Sequence, residues 1–182
     1  MAKSRQQKRS QLQERRIAED VGGRVQAGSG SSWQAKSDVR VQGAIRCEAK
    51  YTEKKTYSLK LADLLKIRDE AIRGGLETPV MQVEFVIGPG ASMKYAVIGY
   101  TYFRHIFGFY NDSRTLDQKS YHVAAKQFPL DCFELRKFEA QVATRENQDW
   151  VVQLWWDGEP PNVFAVIPWH SFVTMHEAYT ST

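Results

Sequence analysis

Asp38 and the run Glu48-Ala49-Lys50 carry the side chains of this chain best suited to chemistry. They lie in two alternating stretches, Ser37 to Val41 and Ile45 to Tyr51, separated by a turn at Gln42-Gly43. Successive side chains of a strand point to opposite faces. Ile45, Cys47, Ala49 and Tyr51 therefore share one face of the second stretch, and Arg46, Glu48 and Lys50 share the other. Carboxylates brought together on neighbouring strands are hard oxygen ligands suited to Mg2+, with Mn2+ as a substitute. A metal so held polarises a phosphate, generates hydroxide and stabilises a leaving alkoxide, which are the requirements of phosphodiester hydrolysis. Asp38 and Glu48 would coordinate the metal, and the carbonyl of Ala49 would complete the shell. Lys50 would position the attacking water or stabilise developing negative charge. For a third carboxylate, Glu14 leads and Glu19 is next. A bland reading competes, because an Asp and a Glu-x-Lys arise readily by chance. A Glu/Lys pair on a strand is ordinarily a solvated, weak ion pair.

The elements that must position these residues follow from periodicity and punctuation. Leu12, Ile17, Ala18 and Val21 predict a short amphipathic helix from Ser10 to Gly22-Gly23, with Ser10 as its cap. Arg24 to Gln26 reads as a short extended piece, and Gly28 to Ser32 as a flexible segment of small residues. The two alternations form a hairpin or adjacent strands, and Glu53 to Tyr57 is a charged link. Leu61, Leu64, Leu65, Arg68 and Ile72 predict a helix from about Leu59 to Arg73, capped by Ser58 and closed by Gly74-Gly75. Strands are predicted at Val80 to Ile87 and Tyr95 to Phe103 around the Gly88-Pro89-Gly90 turn. This order predicts an α/β fold, a small mixed sheet with helices packed on it. Further on, Leu130 to Ala143 reads as a helix, Trp150 to Trp156 and Val163 to Ile167 as strands, and Val173 to Tyr179 as a terminal helix. Residues 114–127 give no firm pattern. The chain divides into a basic arm (1–9), a core (10–110) and a C-terminal α/β segment (111–182) that extends the core, mediates dimerisation or contacts a partner.

With 182 residues, 42% hydrophobic and 25% charged, the composition is that of an ordinary globular protein. No apolar run is long enough to span a bilayer, and no signal-peptide core follows the basic start, so a membrane partner is not expected. Cys47 and Cys132 lack metal-ligand spacing, and Cys47 reads as a small buried hydrophobe in a reducing compartment. His105, His122, His170 and His176 lack zinc-site spacing with cysteine, and no glycine-rich phosphate fingerprint is present. A net charge of +4 is a modest hint of a nucleic-acid partner. Its distribution says more: Lys3, Arg5, Lys8, Arg9, Arg15, Arg16 and Arg24 cluster at the start, suited to tracking phosphates or to solubilising a terminus. Trp155-Trp156, Trp169 and the aromatic stretch from Tyr100 to Tyr110 read as core or subunit interface in preference to a base-stacking platform.

Taken together, Glu14-Arg15, the Gly28-Ser29-Gly30-Ser31 loop, Asp38 and Glu48-Ala49-Lys50 resemble the PD-(D/E)xK nuclease superfamily. Within it, the chain is most similar to archaeal-type Holliday junction resolvases and their viral or phage relatives, over roughly residues 10–87. Ser37 stands where the superfamily's name has proline, a residue that there only restricts backbone shape. The resemblance implies a restriction-endonuclease-like core and a Mg2+-dependent, structure-selective DNA endonuclease that resolves four-way junctions, acting as a homodimer. It implies that Glu14, Asp38 and Glu48 bind the metal, that Lys50 assists catalysis, and that Ser29 or Ser31 lies near the scissile phosphate. Arg15, Arg16 and Lys36 would touch branched or duplex DNA, and Lys54, Lys55 and Lys60 would contact a second arm. Trp33 would either stack on an unpaired base or pack over the sheet edge. The expected setting is the cytoplasm or nucleoid, or a host cell interior if viral. Alternatives are a nuclease of the same fold that nicks, degrades or restricts other DNA, an RNA-directed nuclease, and a non-catalytic DNA-binding protein.

Overall fold

Ser4 starts the first helix, α1 (Arg5–Val21), with a capping box: its hydroxyl accepts from Gln7 N–H and the Gln7 side chain accepts from Ser4 N–H. The helix therefore begins at Arg5 and not at Ser10, and Arg5, Lys8 and Arg9 are helical residues. It ends at Gly22, whose φ of 65° places it in the left-handed region that glycine adopts freely. The computed structural model describes residues 4–26, 38–54, 56–107, 120–123, 128–131, 152–156 and 162–181.

After α1 come β1 (Arg24–Val25), β2 (Val39–Val41), β3 (Ile45–Thr52), β4 (Thr56–Leu59) and α2 (Leu61–Arg73). Next are β5 (Thr78–Gly88), β6 (Ala91–Gly99) and α3 (Tyr100–Phe107). The last elements are β7 (Ser120–Val123), β8 (Phe128–Asp131), β9 (Val152–Trp156), β10 (Asn162–Pro168) and α4 (Trp169–Thr180). Eight strands form one sheet in the order β1-β2-β3-β5-β6-β10-β9-β7, and β4 pairs with β8 in a separate two-stranded ladder. β3 runs parallel to β5, and β7 parallel to β9, while the other ladders are antiparallel, so the sheet is mixed. Of the described strands of the last third, β7, β9 and β10 continue the same sheet beyond β6, and β8 does not.

Alternation along the strands divides the core between the two faces. Met81, Val83 and Phe85 of β5 pack with Leu59, with Leu64 and Ile67 of α2, and with Val97, Leu154, Trp156 and Phe164. Val80, Cys47, Val39 and Ile98 pack on the other face with Ile17, Ala18 and Val21 of α1 and with Trp169 and Phe172 of α4. The fold is therefore α/β, a central mixed sheet flanked by helices.

Several elements differ from the sequence expectations. The predicted strand from Tyr95 to Phe103 stops at Gly99, and the aromatic run continues as helix α3. Tyr100, Tyr102 and Phe103 pack against the α1/α4 cluster, so helical spacing serves their burial better than alternation would. Ser58 lies within β4, and Lys60 is the N-cap of α2 with no side-chain cap bond. The end of the charged link, Thr56 and Tyr57, begins β4, which is held by a partner distant in sequence. Asp131 and Leu130 belong to strand β8 where a helix was predicted, and 132–143 lie outside the described residues. α4 starts at Trp169, ahead of Val173, because Trp169 is buried and donates its indole N–H to Asp20 Oδ2 at 2.7 Å. Trp156 and Trp169 are core residues.

Candidate functional site

β3 presents the Glu-x-Lys as its alternation requires. In the parallel ladder with β5, Glu48 pairs with Met81 and Lys50 with Val83, both on the face that carries α2. Cys47 pairs with Val80 on the α1 face. Burial pushes the Cys47 thiol far above its ordinary range, so it is an inert hydrophobe. In the antiparallel ladder with β2, Val39 pairs with Cys47, which sets Asp38 across from Glu48 one step further on. Asp38 N–H donates to the Cys47 carbonyl at 3.1 Å. Its carboxylate Oδ2 accepts from the backbone N–H of Ala49 at 2.7 Å. Ala49, expected to offer its carbonyl, thus contacts Asp38 through its N–H.

Lys50 Nζ donates to Glu48 Oε1 at 2.8 Å, with the side chains 33% and 14% exposed. Burial pulls the Lys50 pKa down, but the hydrogen bond and charge of Glu48, helped by Tyr57 and Asp38, outweigh it and leave the pKa above its ordinary value. Lys50 is therefore an ammonium at neutral pH. Asp38 behaves in the opposite sense for a carboxylic acid. Burial first, then the charges of Glu48 and Glu14, push it up to about 6, against the Ala49 hydrogen bond and the charge of Lys50. Glu14 on α1 accepts from Ser10 Oγ at 3.0 Å, and it is the α1 carboxylate whose charge acts on Asp38. Glu19 is exposed nearer the end of the helix.

Among the described residues, no three or more His, Cys, Asp or Glu side chains converge closely enough to hold a metal ion. Glu14, Asp38 and Glu48 are electrostatically coupled without forming a closed cage. The donor set fits a hard divalent cation in type, and the mutual repulsion that raises Asp38 is of the kind such a cation relieves.

Of the other predicted residues, Arg15 and Arg16 are exposed on α1, Lys54 is exposed just beyond β3, and Lys60 is exposed at the N-cap of α2. Ser29, Ser31, Trp33, Lys36 and Lys55 lie outside the described residues. His176 is buried against the Phe172 ring, and burial lowers its pKa.

Two residues near the site were not anticipated. Tyr57 of β4 interacts electrostatically with Lys50 and Glu48, and burial raises its phenol pKa. Its strand is placed by pairing with β8, which no local pattern announces. Gln13, buried at 3% exposure, donates its amide to the Lys50 carbonyl at 3.0 Å. Its signal is a polar residue at helical spacing from an apolar position, Gln13 four residues before Ile17.

Among the described residues, no helix is long and apolar enough to cross a membrane. Comparison with protein-family models, with curated proteins and with solved structures gave no match.

Proposed function

We propose that this chain is a Mg2+-dependent DNA endonuclease of the PD-(D/E)xK type, with a restriction-endonuclease-like core and a preference for four-way junctions. The observation that carries the reading is the arrangement on β2 and β3. Asp38 faces Glu48 across the ladder, and Lys50 projects from the same face with its ammonium on Glu48.

Asp38, Glu48 and Glu14 would hold the metal, with the Ala49 carbonyl as a further oxygen. When bound, the metal supplies charge to the phosphate and lowers the pKa of water. The chain's own residues do the rest. The Ala49 N–H fixes the Asp38 carboxylate, leaving its other oxygen for a ligand. Lys50, kept protonated by Glu48, donates a hydrogen bond and stabilises negative charge developing on the phosphate; it does not act as the base. Arg15, Arg16, Lys54 and Lys60 would contact the DNA backbone, supplying affinity without sequence preference. A four-way junction has two equivalent strands to cut, which a two-fold homodimer would match.

The test is cleavage of a synthetic four-way junction beside linear, nicked and flap DNA, with Mg2+ and with EDTA. Junction cleavage that needs Mg2+ and disappears in Asp38→Asn and Lys50→Ala is the expected result. Equal cutting of linear duplex would remove junction preference and leave a general nuclease. Junction binding with no cleavage in Mg2+ or Mn2+ would point to a binding protein.

A further inference from the structure

The inward face of α1 is apolar at Ile17, Ala18 and Val21, and at the level of β3 it is interrupted by one buried polar residue, Gln13. Its Nε2 donates to the backbone carbonyl of Lys50 at 3.0 Å and to Gln82 Oε1 at 2.9 Å. Gln13 is 3% exposed and Gln82 is 1% exposed. Burying two carboxamides is unfavourable unless they are fully bonded. Gln13 Oε1 and Gln82 Nε2 are buried without a hydrogen-bond partner among the described residues. A pair of leucines would fill similar space at lower cost, so stability alone does not account for the amides.

The placement of the bond indicates its use. Gln13 immediately precedes Glu14, the helix residue whose charge reaches Asp38. The atom it grips is the carbonyl of Lys50 itself. The anchor on Gln82 belongs to β5, which pairs Ala49 with Gln82 in register. One amide thus fixes the helix that carries Glu14 to the strand that carries Glu48 and Lys50, at the level of the site.

We propose that Gln13 is a positioning residue, whose amide bond to the Lys50 carbonyl and to Gln82 sets Glu14 against the Asp38/Glu48/Lys50 group. It touches neither metal nor substrate. The inference rests on the metal-dependent nuclease reading of the site. Hydrogen bonds behind a metal ligand typically alter affinity or rate by about 10- to 100-fold when removed.

The test compares the full-length protein with Gln13→Leu/Gln82→Leu, with Gln13→Met and with Asp38→Asn. Three quantities are read: melting temperature, Mn2+ affinity by calorimetry without DNA, and kcat and KM on a synthetic four-way junction in Mg2+. The double leucine variant removes both amides together, so neither carboxamide is left buried against an apolar partner, and its melting temperature should equal or exceed that of the parent. Its Mn2+ affinity and kcat should each fall by about 10- to 100-fold with KM unchanged. Gln13→Met, which keeps the length of the side chain, should lose kcat in the same way, and it supplies the comparison should the double variant not fold. Parental Mn2+ affinity and kcat in a folded variant would overturn the positioning role. That result beside an inactive Asp38→Asn would leave the nuclease reading standing. An Asp38→Asn protein that binds Mn2+ and cleaves like the parent would overturn the assignment of the site to Asp38, Glu48 and Lys50, and this inference with it.

Discussion

Two groups of charged side chains sit along β3 and are built from the same kinds of residue. At its start, Glu77 is fully buried and is answered twice, by Arg40 Nε at 2.5 Å and Arg46 Nε at 2.9 Å. Gly43 N–H also donates to it, and Arg40 reaches on to the Gly74 carbonyl. Further along, Asp38, Glu48 and Glu14 share the single cation Lys50 among the groups that act on Asp38. In the first group both oxygens of the one carboxylate accept from guanidinium donors, and its environment is closed: a Cβ at Gly74 would meet Arg46 Nη2 at 2.5 Å and Glu77 Oε2 at 2.8 Å. The second group is partly buried and has more carboxylate than it can neutralise. Burial with matched partners marks a structural network. Like charges held together in reach of solvent mark a place where binding a cation is favourable. Charge type alone does not separate the two; the partners do.

The largest expected effect tests the closed group. Glu77→Gln leaves two guanidiniums without their carboxylate and should cost about 3–5 kcal/mol of stability in a denaturant titration. Any loss of cleavage should then track the folded fraction. A change below about 1 kcal/mol would mean the network is not the structural element described.

Lys50→Ala should show the reverse pattern. Cleavage in Mg2+ should fall by about 100- to 1000-fold, as for loss of one charge-stabilising donor, with only a small change in melting temperature. A variant that melts early and cleaves normally per folded molecule would erase the contrast between the groups.

A smaller effect follows from the raised Asp38 pKa. The folded chain holds this proton up to about pH 6, and the unfolded chain releases it near 3.8. Native Asp38 therefore binds more protons across that window, and its contribution favours folding at low pH and is lost as pH rises through about 6. Asp38→Asn keeps an acceptor for Ala49 N–H and removes the repulsion. In metal-free buffer it should match the parent near pH 4 and exceed it by on the order of 1 kcal/mol above pH 7. Parallel melting curves across pH 4 to 8 would contradict the assigned cause.

The smallest effect sharpens the edge of the closed group. Leu76 precedes Glu77 with a φ of 63°, in the left-handed region, while 77% exposed. Leu76→Gly relieves that strain at a partly offsetting entropic cost, so a gain of about 0.5 kcal/mol or less is expected in a thermal melt, with cleavage unchanged.

What could be read along the chain was what alternation and punctuation record locally. The Asp38 and Glu-x-Lys strands, α2 closed by Gly74, and the β5–β6 hairpin all follow from nearest-neighbour patterns. Where elements were misplaced, a distant partner had decided them. β4 exists because β8 pairs with it, α3 because its aromatic residues pack against the α1/α4 cluster, and the start of α4 because Trp169 meets Asp20. On α1 the apolar pattern drew Leu12 into the buried face, but Leu12 is 48% exposed and Gln13 turns inward. A search for apolar periodicity passes over a buried amide whose partner is a backbone carbonyl of another strand.

Residue order is enough to say which groups are available and which face of β3 carries them, because side-chain direction in a strand is fixed by a period of two. Which carboxylates share a neighbourhood depends on how strands and helices pack. Strand register sets Asp38 against Glu48, and helix packing brings Glu14 and Gln13 to the same level. The consequence is physical: a carboxyl group's protonation depends on burial and on charges reached through space, and neither is a local property of the chain.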